Sequence, residues 1–188
     1  MDMSGPRTRF EPAGARQNDS NETRTHSVSV EQTRDLGKAL GALLEPGDVV
    51  LLEGNLGAGK TALTQGIGLG LGIHSVINSP TFTILKEYTG RLTLYHFDLY
   101  RIESPDEMYA LGFEDYFSGD GVCVVEWAER GEPRQANAPA PWPANYLRVS
   151  MRSDAPEGRL IEVTSAGPRG ERLQTAWTTA FGSVAEER

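Results

Sequence analysis

Three lysines stand against fifteen arginines in this chain, and one of the three, Lys60, sits where a lysine could do chemistry. Gly54-Asn55-Leu56-Gly57-Ala58-Gly59-Lys60-Thr61 satisfies the pattern G-x-x-x-x-G-K-[ST] at every position. Glycines let the backbone curl so that successive N–H groups converge on phosphate oxygens. The lysine ammonium then reaches the β- and γ-phosphates, and the threonine hydroxyl is a hard oxygen ligand for Mg²⁺. A loop of this kind needs an acid at the end of a neighbouring strand to hold the metal directly or through water. Two carboxylates compete for that place: Glu126 closes the apolar run Val122-Cys123-Val124-Val125, and Asp98 follows Leu94-Tyr95-His96-Phe97. Thr81 and Thr83, in the segment SPTFT, lie where a nucleotide-sensing switch would be, with a plain turn around Pro80 as the alternative.

Other reactive side chains carry less. No second histidine stands at metal-ligand spacing from His96, so it is assigned no metal role and reads as a packed or surface group. Trp127 either stacks on a base or caps the core. Cys123, the only cysteine, cannot form an internal disulfide, and its apolar setting reads as structural. Arg101, Arg130 and Arg134 are isolated, so no arginine-bearing lid or cis arginine finger is evident.

The elements that must position these groups follow from periodicity. Apolar residues at Leu36, Ala39, Leu40, Leu43 and Leu44 mark one face of an opening helix that stops at Pro46-Gly47. DVVLLEG reads as a strand buried on both faces, and KTALTQGIGLGLGI as the helix after the loop, weakened by its glycines. INSPTFTILKEY is polar connecting chain, LTLYHFDLYR a second strand and GVCVVEW a third. Ser104 and Pro105 open a short helical region. PRQANAPAPWPAN is Pro-rich irregular chain, YLRVSM and RLIEVTS are short antiparallel strands, and the last residues could form a helix. The expectation is an α/β fold: a single domain over 27–165 with a mainly parallel central sheet flanked by helices, after a disordered leader at 1–26 and before a tail at 166–188.

Composition bounds the rest. At 188 residues there is room for one domain, and no apolar run is long enough to span a membrane. The first 26 residues lack an apolar signal region, so a cytoplasmic, non-membrane protein is expected. A net charge of −8 without a Lys/Arg-rich run argues against independent nucleic-acid binding, so any contact with RNA should pass through a partner.

In order along the chain, GNLGAGKT, SPTFT, HFDLYR from His96, LGFEDYF from Leu111 and VVEWAER from Val124 resemble the small bacterial P-loop ATPases of tRNA threonylcarbamoyladenosine synthesis, the TsaE or YjeE family, over about Ser27 to Thr164. The resemblance implies a Mg²⁺-dependent hydrolase of ATP to ADP. It would sustain turnover of a complex, with TsaD- and TsaB-type subunits, that modifies adenosine 37 of tRNAs reading ANN codons, and it would touch tRNA only indirectly. Carried over, residues Gly54 to Thr61 together with Ala62 and Trp127 form the nucleotide site. Lys60 and Thr61 bind phosphate and metal, Glu126 is the magnesium-side acid, and Asp98 and Thr81 belong to the catalytic and switch region. Asn55 stands where the family usually has Asp, and Ala62 where a second Ser or Thr is common. With no arginine finger evident, the chain alone is expected to be a slow ATPase. Two other readings remain open: a P-loop small-molecule or nucleoside kinase, and a nucleotide-gated binding module.

Overall fold

The computed structural model describes residues 22–133, 140–154, 156 and 158–186. Residues 134–139, which include Arg134 and belong to the Pro-rich segment expected to be irregular, lie outside them. Seven strands form one mixed sheet in the order β1-β7-β6-β2-β5-β4-β3. These are β1 Thr23–Ser27, β2 Val49–Glu53, β3 Leu85–Thr89, β4 Thr93–Asp98, β5 Val122–Glu126, β6 Tyr146–Ser153 and β7 Arg159–Ala166. The parallel part is its centre: β2 pairs in parallel with both β5 and β6, and β5 with β4. The margins, β1 on β7, β7 on β6 and β3 on β4, are antiparallel. The apolar runs at 49–52 and 122–125 are buried on both faces, as central parallel strands must be.

Helices α1 (Val30–Leu43), α2 (Lys60–Gly70) and α5 (Gly167–Glu186) cover one face, packing Leu36, Leu40, Leu63, Ile67, Leu173 and Trp177 on Leu94, Val122 and Val124. Short helices α3 (Pro105–Ala110) and α4 (Phe113–Phe117) and the 3₁₀ turn Ala128–Gly131 cover the other, where Met108, Phe113 and Phe117 meet Val49, Leu51, Phe97 and Val125. Ser29 caps α1, its Oγ accepting from Gln32 N–H at 3.1 Å, while the Gln32 amide reaches back to Val28 N–H.

Three features depart from the sequence expectations. First, β1 begins at Thr23, inside the stretch read as leader, because β7 offers it an open edge from Thr23↔Val163 to Ser27↔Arg159. Second, α5 is no appendage, since Trp177 is wholly buried and its indole N–H donates to Leu36 O at 2.9 Å. Third, the polar segment supplies an edge strand, β3, whose half-exposed face hides the alternation that would have revealed it.

Four glycines of α1 and α2 lie where the two helices meet. Gly37 and Gly41 on α1 face Gly66 and Gly70 on α2 in parallel register, and a Cβ on any of them would come within 2.1–2.3 Å of a carbonyl oxygen of the facing helix. They let two backbones touch.

Candidate functional site

The order of the sheet puts the loop between two helix starts and two strand ends. Because β5 lies beside β2, the register Leu52↔Glu126 brings the acid to the foot of the loop. Because β4 lies beside β5, Asp98↔Glu126 places the second acid opposite the first. Residues 94, 96 and 98 on β4, like 122, 124 and 126 on β5, alternate onto the α2 side, where Leu94, Val122 and Val124 join the α1–α2 core. Thr61 and Thr64 stand three apart on α2 and so point the same way. Thr61 Oγ1 donates to Glu126 Oε2 at 3.0 Å, and Thr64 Oγ1 lies 3.3 Å from Glu126 Oε1.

Lys60 is buried under the loop it closes. Its ammonium donates to the carbonyls of Gly54 and, at 3.1 Å, of Asn55, and sits 3.7 Å above the Trp127 ring. Burial lowers its pKa, against the opposing pull of Glu129, Glu126 and Asp98. Gly57 and Gly59 take positive φ of 79° and 104°, conformations that a side chain would strain and that anion-cradling loops use. Gly54 and Asn55 thus contribute main-chain oxygens, while Leu56, Gly57, Ala58, Gly59, Lys60, Thr61 and Ala62 line a cavity of about 530 Å³ together with Thr81, Asp98, Glu126 and Trp127.

The other acid is wired differently. Asp98 Oδ2 accepts from Ser79 Oγ and, at 2.8 Å, from Thr81 Oγ1, while Oδ1 accepts from Tyr100 N–H at 2.9 Å. Among the described residues Thr83 bonds through its main chain, its N–H donating to Pro80 O, and it is not in the cavity lining. Two non-glycine residues with positive φ flank the site, Ile84 at 65° after the 79–83 segment and Trp127 at 60° after Glu126. For bulky side chains such backbone costs on the order of 1–3 kcal/mol and gathers at functional sites.

Several contributors escaped the sequence reading. Val30, Ser79, Tyr100 and Arg159 line the cavity, and Thr64 and His96 hold Glu126 from behind. Arg159 is an arginine the sequence reading did not single out: it is 99 residues from Lys60 in the chain, and the β7 register brings it to the cavity wall. Arg101 and Arg130 instead stack on Phe82 and Tyr100. Cys123 is buried, its pKa pushed up to about 12 by desolvation, which fits a structural thiol.

The donor set suits Mg²⁺. Among the described residues no cluster of three or more His, Cys, Asp or Glu could cage a metal by itself. Thr61 Oγ1 and Glu126 Oε2, already side by side, are two hard oxygens, as befits an ion that keeps several waters and takes the rest of its shell from phosphate.

The model of the family described as threonylcarbamoyl adenosine biosynthesis protein TsaE matches residues 27–161. The chain belongs to the TsaE family. Two relatives carry the name tRNA threonylcarbamoyladenosine biosynthesis protein TsaE: one from Treponema pallidum, 50% identical over 73% of this chain and 96% of its own length, and one from Bacillus subtilis, 45% identical over 78% and 88%. The crystal structure of Bacillus subtilis YdiB superposes with a TM-score of 0.70 at 38% identity, covering 84% of this chain and 95% of that one, and the fold is that of P-loop NTPases. Every residue lining the cavity falls within the part matched to TsaE. Of the two positions where the resemblance implies other residues, Asn55 is exposed and bonds Lys60 through its main chain, and Ala62 lines the cavity. No helix among the described residues is long and apolar enough to cross a membrane.

Proposed function

We propose that this chain is a Mg²⁺-dependent ATP hydrolase that sustains threonylcarbamoyl transfer to adenosine 37 of tRNAs reading ANN codons, acting with TsaD- and TsaB-type subunits. The names of its relatives supply the pathway. The observation that carries the hydrolase is the joining of Thr61 to Glu126 at 3.0 Å beside a complete glycine loop. In this reading Gly57 to Lys60 cradle the β-phosphate with main-chain N–H groups at the start of α2. Lys60 leaves the loop carbonyls to meet the β- and γ-phosphates. Thr61 and Glu126 hold Mg²⁺, which when bound neutralises charge on the phosphate oxygens. Asp98 fixes Ser79 and Thr81 at the γ end, where their hydroxyls orient the attacking water. Val30 and Arg159, on the β7 side of the loop, face the nucleoside.

The cavity opens to solvent, Leu56 in its lining is 86% exposed, and Phe82, next to the lining residue Thr81, is 82% exposed. A mouth left uncovered favours slow turnover by the chain alone and closure by a protein partner. ADP release by the purified chain should therefore be slow, and should rise several-fold or more when TsaD- and TsaB-type subunits are added. With a net charge of −8, tRNA should bind the assembly and not this chain at physiological salt. Fast hydrolysis unaffected by those subunits, together with salt-resistant tRNA binding by the chain alone, would overturn this reading.

A further inference from the structure

His96 was expected to be an ordinary packed or surface group, but its surroundings are not ordinary. It lies on the α2-facing side of β4, wholly buried, with Nε2 2.8 Å from Glu126 Oε1. Its other nitrogen, Nδ1, is buried without a hydrogen-bond partner, alone in this among the buried side-chain nitrogens and oxygens of the described residues. An apolar side chain at this position would avoid that unpaired atom. The imidazole brings one thing a leucine cannot, the bond to Glu126.

The geometry also selects a tautomer. A carboxylate only accepts, so a bond at 2.8 Å requires the proton on Nε2. Nδ1 is then a bare lone pair. The opposite tautomer would bury an unpaired N–H and face two acceptors toward one another, two costs in place of one. The rival donor to Oε1 is weak, because Thr64 has a single proton and its hydroxyl lies closer to Lys60 O, at 3.0 Å, than to Glu126, at 3.3 Å. Histidine is therefore the one committed donor to Oε1, and Oε1 pinned from behind leaves Oε2 turned toward Thr61.

We infer that His96 is a positioning residue: its Nε2–H holds the Glu126 carboxylate in the orientation that presents Oε2, beside Thr61, to the metal of the nucleotide. The inference rests on the reading of Glu126 as the magnesium-side acid. Partners of this kind, which orient a metal-holding group without touching the metal, are worth about 10- to 100-fold in metal affinity.

Two measurements on the full chain test it. The chain has only three histidines, so nitrogen-15 NMR can identify His96 by its loss in His96→Leu. Its spectrum should show a protonated Nε2 and a bare Nδ1, and a neutral ring protonated on Nδ1 would overturn the inference. Calorimetric titration with a non-hydrolysable ATP analogue over a series of Mg²⁺ concentrations gives the second readout. His96→Leu should raise the Mg²⁺ concentration for half-maximal affinity about 10- to 100-fold. His96→Gln, whose amide nitrogen can donate from nearly the same place, should stay close to wild type. In a Glu126→Gln background, His96→Leu should add nothing, whereas a merely structural histidine would add its cost in both backgrounds and so refute the role. An unchanged Mg²⁺ dependence in His96→Leu, with Glu126→Gln shifted, would defeat the inference alone. If Glu126→Gln is itself unshifted, the reading of Glu126 fails first and the positioning role falls with it. Should His96→Leu not fold, His96→Gln decides: wild-type dependence supports the role, and a shift as large as that of Glu126→Gln overturns it.

Discussion

Asp98 and Glu126 occupy equivalent places at the ends of adjacent parallel strands, in direct register and on the same face, yet they belong to two different kinds of neighbourhood. Glu126 is bound to regular structure. Thr61 and Thr64 from α2 and His96 from β4 approach it, all three mounted on helix or strand backbone. Asp98 is bound to irregular chain, through the hydroxyls of Ser79 and Thr81 in the segment 79–83 and the Tyr100 N–H just past the strand end. A strand-end carboxylate therefore takes its role from what leans on it. One backed by helix and strand suits a fixed metal oxygen, and one gripped by loop hydroxyls suits a segment that changes partners with the nucleotide.

The steepest loss should come where the two neighbourhoods meet, at Lys60. Lys60→Ala removes a preorganised cation from the phosphates and should lower the rate of ADP formation about 10²- to 10³-fold with the fold retained, checked by turnover beside circular dichroism. Near-normal turnover by the folded variant would leave neither acid with a reacting phosphate to serve. Next come the acids themselves. Glu126→Gln should slow turnover in a way that added Mg²⁺ partly restores, whereas Asp98→Asn should slow it at every Mg²⁺ concentration alike. The reverse pattern in Mg²⁺-dependent kinetics would exchange their roles. Thr81→Ala deletes one of two hydroxyls on Asp98 Oδ2, a bond to a charged group worth about 1.5–3 kcal/mol, and should cost about 10- to 100-fold in turnover at most, with Ser79 still holding the acid. The smallest effect is optical. Trp127 lies in the cavity wall beneath the Lys60 ammonium, while Trp142 donates to Glu132 and Trp177 is buried under α1. Nucleotide should change the fluorescence of the wild-type chain, and Trp127→Phe should abolish that signal.

How much of this could be read in advance depended on distance along the chain. The loop, its lysine and both acids are local patterns: eight contiguous residues, and two apolar runs each closed by a carboxylate. Periodicity also gave β2 and β5, because strands buried on both faces must be uniformly apolar, whereas β6, whose alternation read as an antiparallel strand, pairs in parallel with β2 and antiparallel only with β7. What escaped was relational. Arg159 reaches the cavity only through the pairing of β7 with β6 and of β6 with β2. His96 looks like any strand residue until β5 lays Glu126 beside it. β3 is an edge strand whose mixed exposure, at Leu85, Lys86 and Tyr88 among others, erases the two-residue alternation. The glycines of the second helix carried a true propensity signal that the packing overrode, since a penalty of about 1 kcal/mol each is offset by contacts no side chain could make.

That glycine seam has a consequence at the other end of the helices it joins. The two run parallel, so their first turns, with Val30 on α1 and Lys60 to Ala62 on α2, open side by side at the cavity. Helices separated by side chains can be eased apart by a rotamer change; these meet backbone to backbone, with no slack to give. The pair acts as a fixed calliper. The spacing between the backbones at its tips is therefore set by main-chain contact a turn or two away and not by side-chain rotamers, so the side chains of Val30 and Ala62 are what remains to shape the opening between them.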